Sequence, residues 1–241
     1  MAKGRLPGGA RTTARGPQGP AVHVLVPLKR LDAAKTRLAI LLSREERAAL
    51  MSAMLADVLE AVGATAGVTA VTVVSSEPSA RALAAEHGVA VWHDHGLPWN
   101  EALRAATEAV VSEPAVAMVS ADIPLVAGED LEQLVDATPV RGLAVARAVD
   151  GGTNAVCLRP PGAITTCFGR RSSAQGHLEI ARRAGLEGVV VDRLGTALDL
   201  DSPDDVARFL ALGRSTRTHR LLEELRPFDA RARAFRPAVL T

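Results

Sequence analysis

Short runs of β-branched and apolar residues alternate along this chain with longer segments in which apolar residues recur every three or four positions. The first pattern predicts buried strands, and the second predicts amphipathic helices. The predicted strands cover residues 22–26, 68–74, 89–92, 115–119, 143–148, 155–158, 188–191 and 197–200. The predicted helices cover residues 43–63, 79–86, 99–111, 129–137, 173–184 and 202–213. Because strands and helices alternate, the pattern predicts a three-layer α/β fold with a mostly parallel sheet.

Two of the helices have clear boundary signals. Ser43 stands three residues before Glu46, the spacing of a capping box, and Gly63 is expected to end that helix. Ser202 precedes Pro203, which suits the first position of the last helix, and Gly213 is expected to end it.

The composition excludes several classes of protein. The chain has 241 residues, of which 48% are hydrophobic, enough for a sizeable core. Only 2% are aromatic, which argues against a nucleic-acid platform that stacks bases on exposed rings. Two cysteines, Cys157 and Cys167, cannot form a disulfide framework or a four-cysteine zinc site. No apolar run approaches the ~18 residues of a membrane span, so we expect a soluble, cytoplasmic protein.

Charge is distributed unevenly, although the net charge is only +1. Residues 1–20 and residues 214–241 each carry +4, which leaves −7 on residues 21–213. A DNA-binding domain carries its positive charge on the folded body, so this distribution also argues against nucleic acid as a partner. Residues 1–20 are rich in Gly, Pro and Arg and are predicted to be a disordered basic tail. A transit peptide is the less favoured alternative, because Ser is absent and Gly and Pro interrupt any helix.

A basic loop follows the first predicted strand. Four cations lie within nine residues: Lys29, Arg30, Lys35 and Arg37. Neither glycine-rich phosphate-binding motif is present, but side-chain cations can hold a triphosphate as well. The alternative is an ordinary solvated basic loop.

Acidic residues follow two later predicted strands. Asp122 follows residues 115–119 after Ser120 and Ala121, and Asp199 and Asp201 fall at the end of residues 197–200. Ligands bind at the carboxyl ends of strands in such sheets, and Mg²⁺ on a nucleotide needs one or two carboxylates. Acids at a helix N-terminus are the alternative explanation, and we favour it for Asp204 and Asp205.

Two further segments could approach an anion closely. Residues 150–154 contain a Gly-Gly pair, and residues 168–173 lead into a predicted helix N-terminus. A hairpin turn and an ordinary helix cap explain them equally well. His93 and His95 lie close together, but without a third ligand they do not predict a metal site.

Five short motifs occur in one order along the chain. They are Lys29–Leu38 (KRLDAAKTRL), Ala121–Leu125 (ADIPL), Gly152–Asn154 (GTN), Phe168–Ser172 (FGRRS) and Asp199–Pro203 (DLDSP). Over about residues 22–225, the chain resembles the phosphoenolpyruvate and 2-phospho-L-lactate guanylyltransferases of deazaflavin coenzyme F-420 biosynthesis. The resemblance implies a nucleotidyltransferase domain at residues 21–225 with the nucleotide-diphospho-sugar transferase (glycosyltransferase-A) fold. Residues 226–241 would then be a C-terminal tail.

The resemblance also implies roles for individual residues. Those expected to be catalytic are Lys29, Lys35, Arg37 and Asp122. Those expected to bind GTP are Pro27, Leu28, Lys29, Lys35 and Asn100. The acid substrate would be held by Thr153, Asn154, Gly169 and Ser172. Mg²⁺ would be held by Asp122, Asp199 and Asp201, with Asp201 left open between metal ligand and helix cap.

The implied reaction transfers GMP from GTP to phosphoenolpyruvate, giving enolpyruvoyl-diphospho-guanosine and diphosphate. The same reaction on 2-phospho-L-lactate or 3-phospho-D-glycerate is an alternative, partly because Arg170 and Arg171 depart from the family pattern. Another nucleotidyltransferase, or a non-catalytic GTP sensor of the same fold, is a second alternative. A homodimer, and a partnership with the transferase that consumes the product, are left open.

Overall fold

Seven strands form a single sheet in the computed structural model, which describes residues 21–29, 35–213 and 215–225. The strands are β1 (Val22–Pro27), β2 (Val68–Val74), β3 (Ala90–Trp92), β4 (Val116–Val119), β5 (Gly142–Arg147), β6 (Thr153–Arg159) and β7 (Glu187–Val191). Their order in the sheet is β3-β2-β1-β4-β6-β5-β7. The predicted tails at 1–20 and 226–241, and Arg30 of the basic loop, lie outside the described residues.

The sheet is mostly parallel, as predicted, but β6 runs antiparallel to both of its neighbours, β4 and β5. A short turn at residues 148–152 joins β5 to β6, and the N–H of Ala148 donates to the carbonyl of Gly152 at 3.0 Å. Strands joined by so short a turn form an antiparallel pair. The amino end of β6 therefore lies at the same sheet edge as the carboxyl end of β4.

Helices cover both faces of the sheet. They are α1 (Arg44–Ala64), α2 (Pro78–Glu86), α3 (Trp99–Ala109), α4 (Gly128–Asp136), α5 (Ser173–Arg183), α6 (Leu194–Ala197), α7 (Pro203–Ala211) and α8 (Arg217–Glu224). Apolar residues of α1, α2, α4, α7 and α8 pack in one buried cluster with Val24 and Val26 of β1. Residues of α3 and α5 pack in a second cluster with Leu25, whose side chain points to the opposite face. The predicted three-layer arrangement is confirmed.

The element predictions hold with a few corrections. The capping boxes at Ser43 and Ser202 are present. Helix α1 continues past Gly63 to Ala64. The strand predicted at 197–200 is wrong, because residues 194–197 form the helical turn α6 and residues 198–200 are irregular. A 3₁₀ helix at Thr36–Ile40 and helix α8 were not predicted. Among the described helices, none is both long enough and apolar enough to cross a bilayer.

Helix α8 is fixed by an acid from α1. The carboxylate of Asp57, which is buried, accepts the N–H of Arg217 at 2.8 Å and that of Thr218 at 2.9 Å. These are two of the unpaired N–H groups that every helix start must satisfy. Thr216 also caps the helix locally, since its hydroxyl oxygen accepts the N–H of His219 at 3.1 Å. The local cap was a signal that the sequence analysis did not use, whereas the contribution of Asp57 depends on the fold.

A buried histidine joins the start of α5 to β6. The Nε2 atom of His177 accepts the N–H of Cys167 at 3.0 Å, and its Nδ1 atom lies 3.1 Å from Oγ1 of Thr153. The hydroxyl of Ser173 donates to the same Oγ1 atom at 3.0 Å. Burial lowers the pKa of His177 to about 4, so the imidazole is neutral near pH 7. This network holds the 167–173 segment against the sheet.

We predict that Asp57→Ala lowers the free energy of unfolding by about 1–3 kcal/mol, because it leaves two helix N–H groups without their charged acceptor. The matched control is Glu60→Ala on the same helix, since Glu60 is exposed and reaches Arg217 only at 3.8 Å. The control should change stability by less than about 0.5 kcal/mol. Urea denaturation of both variants checks this. Equal losses would show that Asp57 does not anchor α8.

We also predict that His177 makes stability fall in acid. Its pKa is about 4 in the folded protein and near 6.5 when exposed, so between these values the unfolded chain binds a proton that the folded chain does not. Stability is therefore complete above pH 6.5 and decreases towards pH 4, by up to roughly 3 kcal/mol. In His177→Gln this pH-dependent contribution to the free energy of unfolding is absent. Denaturation at several pH values should show the stability gap between the two proteins closing as the pH falls; a constant gap contradicts the prediction.

Candidate active site

A cavity of about 340 Å³ opens at the sheet edge where β1 and β4 end. Its walls come from the end of β1, the basic loop, helix α1, the start of α3, the segment after β4, and the segment before α7. The lining residues are Pro27, Lys29, Lys35, Thr36, Arg37, Met51, Trp99, Ser120, Ala121, Asp122 and Asp201. The basic loop and two of the predicted acids therefore meet in one place.

Lys35 lies at the centre of this cavity's polar wall. Its Nζ atom is 2.6 Å from Oδ2 of Asp122 and also forms an ion pair with Oδ1 of Asp201. The lysine side chain is only 4% exposed, whereas those of Asp122 and Asp201 are 26% and 49% exposed. Burying an ammonium group is costly unless it is paired, and here two carboxylates pair with it.

The backbone at Lys35 is left-handed, with φ = 53°. This conformation is uncommon for a residue other than glycine and marks a position that its surroundings constrain. Lys35 precedes the 3₁₀ helix, its carbonyl accepts the N–H of Leu38 at 2.9 Å, and Leu38 is fully buried. The buried leucine thus fixes the turn that directs Lys35 towards the acids.

A third carboxylate, Asp199, completes the acidic group. The N–H of Leu200 donates to the carbonyl of Asp122 at 3.1 Å, which ties the 199–201 segment to the end of β4. From β6, the side-chain amide of Asn154 donates to the carbonyl of Thr196 at 2.9 Å and to Oδ1 of Asp199 at 3.3 Å. Hydrogen bonds, not a strand, therefore position Asp199 and Asp201.

Asp199 and Asp201 have different electrostatic environments. Burial, and then repulsion by Asp122 and Asp201, raises the pKa of Asp199 to about 6. For Asp201, burial also favours the protonated form, but the charge of Lys35 outweighs it and lowers the pKa. Burial alone would lower the pKa of Lys35, but the two carboxylates raise it above its usual value. The site thus holds more negative charge than Lys35 alone neutralises.

This donor set fits a hard divalent cation. Asp122, Asp199 and Asp201 each offer an oxygen atom, and these atoms lie within 4.8 Å of one another. Among the described residues, no other group of three potential ligands meets this criterion. Clustered carboxylate oxygens are typical ligands of Mg²⁺, and the excess negative charge favours a cation.

The residues predicted to bind GTP divide into two groups. Pro27, Lys29 and Lys35 line the cavity, as does Arg37, which was predicted to be catalytic. The side chains of Lys29 and Arg37 are exposed. Leu28 does not line it: its side chain is 2% exposed in the core, and its backbone bonds to β2 and Ser75. Asn100 also lies outside the lining, since its side chain bonds to Phe168 and Thr166. The structure thus brings Asn100 to the segment expected to hold the acid.

The residues predicted to hold the acid substrate lie near one another but outside the cavity lining. Gly151 approaches the carbonyl of Arg171 so closely that an added Cβ would lie 2.7 Å from that oxygen, so the two segments are adjacent. Thr153 and Asn154 are buried, whereas Gly169 and Ser172 are exposed. Asn154 alone of the four contacts the acidic group, through Asp199.

Several cavity residues were not predicted from the sequence, above all Trp99. It stands at the first position of α3, and the Nζ atom of Lys29 lies 4.8 Å from the centroid of its ring. A cation over an aromatic face is held electrostatically. One signal was available: Trp99 is one of only two tryptophans and follows Pro98 at a predicted helix start.

Asp205 accepts the N–H groups of Ser202 and Asp201, as its predicted capping role requires.

Comparison with known proteins agrees with the geometry. The family model described as "Guanylyl transferase CofC like" matches residues 22–234. A phosphoenolpyruvate guanylyltransferase of Sphaerobacter thermophilus is 38% identical over 185 residues, covering 76% of this chain and 89% of the relative. A 2-phospho-L-lactate guanylyltransferase of Methanothermobacter thermautotrophicus is 32% identical over 204 residues, covering 84% and 90%.

A solved structure supports the fold. The crystal structure from Desulfovibrio desulfuricans G20 assigned as a nucleotide-diphospho-sugar transferase has a TM-score of 0.73 at 20% identity. The match covers 90% of this chain and 98% of that one. The predicted fold type is therefore confirmed, and the family match shows that this chain belongs to the CofC-like guanylyl transferases.

Proposed function

We propose that this protein transfers the guanylyl group of GTP to phosphoenolpyruvate and releases diphosphate. One observation carries the proposal: Lys35, Asp122 and Asp201 meet in a cavity that Lys29 and Arg37 also line. This combination of cations and carboxylates suits a metal-bound triphosphate. The relatives named above act on a phosphorylated three-carbon acid, which supports such an acceptor.

Asp122, Asp199 and Asp201 would hold Mg²⁺, because their oxygens form the acidic group described above. When bound, Mg²⁺ would offset charge on the phosphate oxygens during the transfer. Lys35 keeps two of the carboxylates in place, and Lys29 and Arg37 present positive charge to the cavity. In this proposal the protein contributes mainly position and charge.

The proposed chemistry needs no protein base. A phosphate oxygen of the acceptor attacks the α-phosphorus of GTP, and the bond from that phosphorus to the bridging oxygen of diphosphate breaks. The acceptor phosphate is already ionised near pH 7, so no proton has to be removed. This agrees with the cavity lining, which contains no histidine or cysteine among the described residues.

2-Phospho-L-lactate is the second candidate acceptor, because the relative from Methanothermobacter thermautotrophicus is named for it. The two acids share a phosphate and a carboxylate and differ in the C2–C3 bond, which is double in phosphoenolpyruvate and single in 2-phospho-L-lactate, so that a methylene group takes the place of a methyl group. A difference of one small apolar group changes specificity by only about 10–200-fold. We favour phosphoenolpyruvate because the basic-loop motif resembles the bacterial relatives most.

The acceptor is identified by comparing diphosphate release from GTP with phosphoenolpyruvate, 2-phospho-L-lactate, 3-phospho-D-glycerate or no acid. We expect release to require an acid and kcat/KM to be highest for phosphoenolpyruvate. A higher kcat/KM for either other acid would overturn the acceptor assignment. Binding of GTP without release in any reaction would favour the GTP sensor instead.

We predict that Asp122→Asn lowers kcat by on the order of 10²-fold or more and leaves the fold intact, because it removes charge from the metal site. The control is Asp192→Asn, which changes an exposed acid paired with Arg147 away from the cavity. It should keep full activity. Unchanged turnover of purified Asp122→Asn at saturating Mg²⁺ would contradict the metal role.

Ser172→Ala tests where the acid binds. Ser172 is exposed at the start of α5 and gives that helix no side-chain cap, so its loss should not affect stability. We expect the KM for phosphoenolpyruvate to rise roughly 10-fold while the KM for GTP stays constant. A loss of affinity of about this size is usual when one hydrogen bond to a charged group is removed. Ser112→Ala, at another exposed serine, is the control. An increase confined to the KM for GTP would show that Ser172 lies on the nucleotide side.

A further inference from the structure

A second cavity, of about 240 Å³, adjoins the first and shares Pro27, Lys29 and Trp99 with it. The remainder of its wall comes from the end of β2, the loop after β3 and the first turn of α3. Val74, Leu97 and Ala102 give it apolar sides. An apolar cleft with a few polar groups is the usual form of a site for a flat organic ring.

One acidic side chain, that of Asp94, lies in the described wall of this second cavity. Its Oδ1 atom accepts the N–H of Gly96 at 2.9 Å, and its carbonyl accepts the N–H of Leu97 at 3.0 Å. The two residues between, His95 and Gly96, both have positive φ, as in a type I′ turn. The turn therefore fixes the carboxylate, and the described residues give its Oδ2 atom no hydrogen-bond partner.

We infer that Asp94 recognises the base of the nucleotide and selects guanine. The Watson–Crick edge of guanine carries two adjacent donors, the N1–H and the 2-amino group, and a carboxylate is a pure acceptor. Adenine presents a lone pair at N1, which the carboxylate would repel. The 2-amino group is missing in hypoxanthine, and in xanthine a carbonyl replaces it. A fixed acceptor thus distinguishes guanine from the other three bases.

The position of the second cavity agrees with this assignment. Lys29 lines both cavities, so a nucleotide with its phosphates beside Lys35 and Asp122 could extend its base past Trp99 towards Asp94. Asn100 is less suited to read the base, because both its amide nitrogen and its oxygen bond to the 166–168 segment. The inference rests on the proposed guanylyl transfer, because the base that Asp94 would recognise belongs to GTP, the donor of that reaction.

The test replaces Asp94 with Asn, which keeps the oxygen for Gly96 but substitutes an NH₂ donor for the second oxygen. Turnover with phosphoenolpyruvate is compared for GTP, ITP, XTP and ATP. Wild type should use GTP about 10- to 100-fold better than ITP or XTP, the effect of losing a hydrogen bond to a charged group. In Asp94→Asn, kcat/KM for GTP should fall by a similar factor. XTP should then become the better substrate, because its 2-carbonyl accepts from the new amide.

The affinities for GTP and XTP, measured by calorimetry with Mg²⁺ and without acid, should follow kcat/KM. GTP should bind Asp94→Asn more weakly than it binds the wild type, and XTP should become the tighter ligand of the variant. Asp136→Asn, at an exposed acid on α4, is the control and should keep the wild-type order. A variant that loses activity equally with every nucleotide would overturn the inference, because it would show that Asp94 only supports the loop. Wild type that releases no diphosphate from GTP with any acid would instead refute the proposed function.

Discussion

The ion pairs of the Lys35 ammonium with Asp122 and Asp201 are the interactions on which the rest of the site depends. Three carboxylates this close would repel one another without a cation among them. The lysine offsets part of that repulsion and is itself buried only because the acids pair with it. Negative charge remains, and its effect is visible in the pKa of Asp199, which burial and the other two acids raise to about 6. Because negative charge remains, the site favours a divalent cation.

The sheet makes this arrangement possible by bringing distant segments to one edge. Lys35 follows β1, Asp122 follows β4, and these parallel strands end together. Because β6 is antiparallel to β4, Asn154 near the start of β6 lies at the same edge and reaches Asp199. The N–H of Leu200 also donates to the carbonyl of Asp122, which holds the 199–201 segment beside the end of β4. The partners of Lys35 lie 87 and 166 residues away in sequence, so only the folded sheet creates the site.

The sequence indicated those parts that depend on local pattern. Apolar runs located the strands, and the position of an acid soon after such a run indicated Asp122. The acids at 199 and 201 were found through the wrong element, because α6 and long-range hydrogen bonds, not a strand, hold them in place. Leu28 was assigned to GTP, but its position in the core depends on packing that no local motif reveals. Trp99 and Asp94 were not singled out for the same reason: distant residues complete the cavities that they line.

We propose that the three carboxylates beside Lys35 bind the metal that accompanies GTP. Electron paramagnetic resonance of Mn²⁺ titrated into the full chain tests it directly, with and without GTP and with Asp199→Asn as the comparison. We expect the wild type to bind one Mn²⁺ per chain, more tightly when GTP is present, and the variant to bind it at least about 10-fold more weakly. Equal Mn²⁺ affinity in the wild type and the variant, under both conditions, would contradict it.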